Sequence, residues 1–125
     1  MNSDILLFFN THAAALPLYE AVEKRICTNV DGVKIKAGKS QISFYNKHMF
    51  ACVSFLAAKK KKEMPPVYIT LTLGLDRPLE NPAPAVAVEP YPGRWTNHIV
   101  ISDTNQVDKQ LIKRIKQAAD FAAIK

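Results

Sequence analysis

Residues 68–73 read Tyr68-Ile69-Thr70-Leu71-Thr72-Leu73, and this stretch decides the fold. With Val67 before it, an apolar residue recurs at every second position: Val67, Ile69, Leu71, Leu73. Tyr68, Thr70 and Thr72 fall between them. A period of two belongs to a strand with one face in a core and the other turned away from it. The rest of the chain is read outward from that strand.

Upstream, residues 33–36 alternate briefly and Ala37-Gly38 marks a turn. Residues 40–45 alternate again, with Ile42 and Phe44 on one side and Gln41, Ser43 and Tyr45 on the other. Asn46-Lys47 suits a hairpin turn because Asn tolerates the left-handed region. The next strand covers about residues 48–56. An even-length loop sets Met49, Ala51, Val53 and Phe55 beside Ile42 and Phe44. It sets Phe50, Cys52 and Ser54 beside Gln41, Ser43 and Tyr45. Residues 57–66 are a loop carrying Lys59, Lys60, Lys61 and Lys62, followed by Pro65-Pro66. Downstream, residues 76–93 hold Pro78, Pro82, Pro84, Pro90 and Pro92. Such a stretch is expected to wrap the surface in extended form, outside regular structure. Residues 94–102 regain strand character. With Ile99 and Ile101 in the core, Arg94, Thr96 and His98 join the polar face.

Both ends read as helix. Ser3 caps a short turn with Ile5, Leu6, Phe8 and Phe9. Leu16, Tyr19, Val22 and Ile26 make a helical stripe over residues 13–28, with Pro17 in the first turn, where its missing N–H costs nothing. Near the C-terminus, Asp103 is the expected N-cap with Gln106 in capping-box position. Val107, Leu111, Ile115, Ala118 and Ala122 form the apolar stripe, and Lys109, Lys113 and Lys116 a solvated basic face. The expected architecture is a two-layer α+β sandwich in one domain over residues 1–125. An antiparallel sheet of four to five strands has the N- and C-terminal helices packed on one face.

Seventeen Lys and Arg against eleven Asp and Glu give a net charge of +6, which leaves anionic partners open. The longest stretch without a charged side chain, residues 5–19, contains Asn10, His12 and Pro17 and is too short and polar to span a bilayer. The opening MNSDILLFFN has an acidic residue where a signal peptide has basic ones, so a cytoplasmic protein without membrane contact is expected. Cys27 and Cys52 read as small buried hydrophobes kept reduced, and neither falls in a zinc-ligand spacing. With only four glycines there is no phosphate loop or dinucleotide fingerprint, and there is no Gly-x-Ser-x-Gly elbow. No metal and no cofactor are expected.

At Lys39-Ser40-Gln41-Ile42-Ser43-Phe44, and again at Glu89-Pro90-Tyr91-Pro92-Gly93-Arg94-Trp95-Thr96-Asn97-His98, the chain resembles a bacterial family of domains of unknown function. The resemblance covers about residues 9–121, and the second motif is the more specific. Members occur alone or as the C-terminal part of larger proteins, some labelled "predicted transport protein". Members often carry two histidines where this chain has Asn97-His98, so nothing that needs the first is carried over. The resemblance implies a compact α+β domain and directs attention to the two motifs. It implies no activity, cofactor or catalytic residue.

Both motifs supply the polar sheet face. Arg94 stands between a tight Pro-Gly turn and a strand, where it either pairs with Glu89 or offers its fork to an anion. His98 either bonds a neighbouring Thr or Tyr or helps complete a pocket. Tyr91 and Trp95 either pack the proline-rich segment or offer flat contact at the rim. The candidate ligand-binding residues are therefore Lys39, Gln41, Ser43, Tyr91, Arg94, Trp95 and His98. Lys39, Gln41, Tyr91, Arg94 and His98 are expected within one cleft. The first functional reading is a binding module for a small anionic ligand or a partner protein segment. The second is an enzyme using His98 as base with Ser43, Ser54 or Cys52 as nucleophile. The third is a nucleic-acid accessory domain using the lysines at 59–62. Four adjacent lysines without interleaved aromatics lack a stacking platform, and a solvated loop is the simpler reading of that run.

Overall fold

The computed structural model describes residues 3–82 and 84–124, the side chain of Lys61 excepted. Ala83 in the proline-rich stretch and that lysine side chain in the basic run thus lie outside the described residues. The elements are α1 (Ser3–Phe8), α2 (Leu16–Asn29), β1 (Lys34–Ala37), β2 (Ile42–Tyr45), β3 (Met49–Ser54), β4 (Ile69–Leu75), β5 (Val86–Tyr91), β6 (Arg94–Ile101) and α3 (Lys109–Ala123). The strands form one six-stranded sheet in the order β1-β2-β3-β4-β6-β5. All neighbours are antiparallel, and β4 lies inside the sheet between β3 and β6. The protein is α+β, with helices packed against one antiparallel sheet.

Alternation puts the core where the sequence indicates. Ile42, Phe44, Val53, Ile69, Leu71, Leu73, Ile99 and Ile101 are buried in one apolar cluster. Ile5 and Phe9 from the α1 region, Tyr19, Val22 and Ile26 from α2, and Leu111, Ile115, Ala118 and Ala122 from α3 complete it. α3 lies over β3 and β4, and the Tyr19 ring stacks on Phe44, which sets α2 over β2. Gly32, at φ 67°, makes the left-handed turn from α2 toward β1.

The hairpin tip between β2 and β3 is tied to the end of α3. The Asn46 amide donates to the Ala119 carbonyl at 2.8 Å, and His48 Nδ1 meets the Ala122 carbonyl at 3.0 Å. These carbonyls belong to the last turn or so of the helix, where in-helix partners run out.

Several expectations are corrected. The sheet has six strands because the proline-rich stretch ends in one, β5. Its prolines are placed so that none interrupts a two-sided ladder. Pro78, Pro82 and Pro84 precede the strand. Pro90 falls where the register shifts between Val88 and Tyr91, on an edge strand, and Pro92 precedes Gly93 in the turn, at φ 73°.

In β3 the expected sides hold where Ser43 stands opposite Cys52 and Phe44 opposite Ala51, but a bulge then pairs Tyr45 with Met49. The extra residue re-aims its neighbours. Phe50, assigned to the polar face, is buried at 1 % exposure in the apolar cluster. Met49, assigned to the core, is exposed. Val67 lies before the first paired residue of β4 and is also exposed, and so is Cys27.

Asp103 and Gln106 do form a capping box, but on a 3-10 turn at Thr104–Gln106. α3 starts later under its own cap, with the Asp108 carboxylate accepting from Leu111 N–H at 2.9 Å.

Candidate functional site

Across the sheet face away from α3, five residues stand directly opposite one another on successive strands. They are Ser43 on β2, Cys52 on β3, Thr72 on β4, His98 on β6 and Val86 on β5. Strand period two makes this row inevitable once Ile42, Val53, Leu71 and Ile99 are in the core. Thr72 is its centre. Its Oγ1 is 2.8 Å from His98 Nδ1, and it also hydrogen-bonds the Cys52 thiol.

Burial holds the His98 imidazole below its ordinary value, so the ring is neutral near pH 7. Burial pushes the Cys52 thiol up, with the Thr72 bond pulling the other way. A Thr72 bond that favours the thiolate is one in which the Thr72 hydroxyl donates toward sulfur, and the neutral His98 ring pairs with Thr72 Oγ1 through Nδ1. His98 Nε2 has no hydrogen-bond partner among the described residues.

Two adjoining hollows border this row. The larger, of about 670 Å³, is lined by Lys39, Ser40, Gln41, Cys52, Ser54, Thr72, Thr96 and His98. That volume is within the usual range for a small-molecule pocket. Its wall is aromatic: Phe8, His12 and Phe55. His12 stacks on Phe55 with centroids 3.9 Å apart, and Phe8 stacks on the same ring at 5.2 Å. The Phe55 segment is pinned by β4, whose Thr70 hydroxyl donates to the Leu56 carbonyl at 2.6 Å. The Tyr68 hydroxyl donates to the Phe55 carbonyl at 2.8 Å. The smaller hollow, of about 230 Å³, is lined by Gly74, Pro90, Tyr91, Arg94, Trp95 and Phe121 among others. The hollows share Met49, Cys52, Thr72 and Thr96.

Of the seven sequence candidates, Lys39, Gln41 and His98 thus come together in the larger hollow, and Tyr91, Arg94 and Trp95 in the smaller one. Ser43 lines neither; it is buried, and its Oγ accepts from the Gln41 amide at 2.9 Å. The single cleft expected for Lys39, Gln41, Tyr91, Arg94 and His98 is therefore two chambers with a common floor. Arg94 and His98 stand on the same sheet face.

Arg94 does not pair with Glu89. The Glu89 carboxylate accepts from the Gly93 N–H at 3.1 Å and closes the Pro-Gly turn. Among the described residues the one ion pair is Arg77–Asp76, so neither Arg94 nor Lys39 is held by a carboxylate there.

None of the proposed nucleophiles meets His98 directly. The Ser54 Oγ accepts from Leu56 N–H at 3.3 Å, the Ser43 Oγ is taken by Gln41, and Cys52 reaches the imidazole only through Thr72.

Sequence reading missed the aromatic wall, since nothing in the spacing joins His12 to Phe55. It also missed Asn97, which is fully buried on the other side of β6. There Asn97 Oδ1 accepts from Leu79 N–H at 2.9 Å, and its amide donates to the Arg77 carbonyl at 3.2 Å.

Among the described residues no cluster of His, Cys, Asp or Glu suits a metal ion. Nor, among them, is any helix long and apolar enough to cross a membrane.

A family model described as "Domain of unknown function (DUF5655)" matches residues 7–122. The chain belongs to this family. The match takes in both motifs, and with them the strands that frame the two hollows. No curated protein and no solved structure matches the chain.

Proposed function

We propose that this family member is a binding module whose open sheet face holds a small anion with an apolar body. One observation carries the reading. The two hollows share a floor and present Lys39 and Arg94, and among their described lining residues there is no carboxylate. An Arg fork and a Lys ammonium beside flat apolar walls suit a carboxylate or phosphate attached to an aromatic or aliphatic group. The neutral His98 adds its unpartnered Nε2 as a polar contact, and Thr72 and Thr96 add hydroxyls. His98 in this reading is a ligand contact and not a general base.

The test uses benzoate and phenyl phosphate as probes, followed by backbone amide NMR shifts. Shifts should concentrate at Gln41, Thr72, Thr96 and His98. Arg94→Ala should abolish them while the circular dichroism spectrum stays unchanged. Saturating probe with no shift on this face, or an unchanged response in Arg94→Ala, sinks the proposal.

A further inference from the structure

The other layer of the molecule carries a second feature, independent of the open sheet face. A groove of about 530 Å³ runs between α2 and α3 on their outer side. Arg25 enters it from α2, and Lys109, Lys113 and Lys116 enter from α3. Four cations face a single carboxylate, Asp120. None of the four is in an ion pair among the described residues.

The charge order along α3 runs against the physics of the helix. A helix N-terminus disfavours positive charge and its C-terminus favours it. Here Lys109 is the first residue of α3, Lys113 and Lys116 follow, and Asp120 stands near the C-terminal end. Lys109 and Lys113, at i and i+4, also repel each other. By contrast α2 places Glu20 and Glu23 ahead of Lys24 and Arg25, in the order the dipole prefers. Lys109 therefore stands where the dipole favours it least, beside lysines that repel it.

We infer that this groove binds the phosphate backbone of a nucleic-acid duplex without reading its sequence. The three lysines span about 10 Å of helix axis, at 1.5 Å per residue. Over that length one strand of a duplex presents about three phosphates. Amides assist, as they do in backbone contacts generally. Gln117 lines the groove, and its carbonyl is already taken by Arg114 at 3.0 Å, which leaves its N–H donors. No aromatic ring is among the described lining residues, so a single strand finds nothing to stack on. Ile112 is buried beneath the lysines, so no large apolar side chain projects here to enter a lipid layer.

The experiment is fluorescence anisotropy with a labelled 20-base-pair duplex of arbitrary sequence, titrated at several salt concentrations. Log K should fall against log salt with a slope of roughly −3 to −4, for three to four phosphates neutralised. Lys113→Gln should reduce the slope by about 1. The double variant Lys113→Glu, Lys116→Glu should weaken binding more than tenfold at an unchanged melting temperature. Replacing the lysines at 59–62 by Gln should leave binding in place. The proposal is overturned if there is no salt-dependent binding, or if the double variant binds as the parent does. It is equally overturned if phosphatidylserine vesicles, and not the duplex, are bound in a Lys113- and Lys116-dependent way. Arg94→Ala should leave duplex binding intact, which separates this site from the sheet-face site.

Discussion

Thr72 joins two groups that catalysis would want in contact. A Cys and a His on adjoining strands would make an ion pair if they touched, with a depressed thiol and a charged ring. Here a threonine keeps them apart and burial sets the opposite state, with the thiol up and the imidazole down, the Thr72 bond only moderating the thiol. The expected outcome of an imidazole NMR titration is a His98 midpoint below the ordinary 6.5. The sign for stability follows. The folded chain takes up this proton less readily than the unfolded chain, so its contribution is present above about pH 6.5 and is lost as pH falls below it. A midpoint at or above 6.5 would contradict the burial of the ring in the hollow. At this scale the sequence showed which residues share a face, because period two is unambiguous. It did not show Asn97 as a buried brace, because its partners, the Leu79 N–H and Arg77 carbonyl, are backbone groups with no sequence signature.

Among the elements, α3 and β5 show where local signals suffice and where they mislead. The stripe of α3 is legible because Leu111, Ile115, Ala118 and Ala122 recur at helical spacing. Its start is not, because two acceptable caps, Asp103 and Asp108, lie five residues apart and each closes a turn of its own. Asp108→Ala should cost about 1 kcal/mol in denaturant unfolding, the usual loss for an N-cap carboxylate. If the cost is negligible while Asp103→Ala is costly, the helix is anchored by the 3-10 turn instead. β5 was illegible for a different reason. Proline counts argue against a strand only when the prolines interrupt it, and here the one inside β5 falls at a register shift on the sheet edge. The bulge in β3 was equally hidden, since it changes pairing without changing composition. Yet it decides that Met49 lines both hollows and Phe50 joins the core.

For the whole molecule, stability should follow the core and ignore the basic loop. Leu111→Ala or Ile69→Ala removes a side chain buried at the helix–sheet interface and should cost roughly 2–5 kcal/mol. Converting the lysines at 59–62 to Gln should leave the melting temperature nearly unchanged, since Lys59, Lys60 and Lys62 are exposed. Thermal melts of the three variants side by side check both statements. A core variant costing below about 1 kcal/mol would contradict the assigned strand and helix faces. The sheet and the helices packed on it were readable because each apolar stripe needs a partner and only one sheet was on offer. The hollows were only half readable. Their floor follows from strand alternation, whereas their walls come from the α1 end, the segment after β3 and the turn at Gly93, which alternation does not govern.

One of those walls has a practical consequence. The chain contains a single tryptophan, and Trp95 stands beside Arg94 in the smaller hollow. Its ultraviolet emission therefore comes from one known address. A molecule entering there changes the colour and yield of that light directly, so the unlabelled protein is its own optical gauge of occupancy.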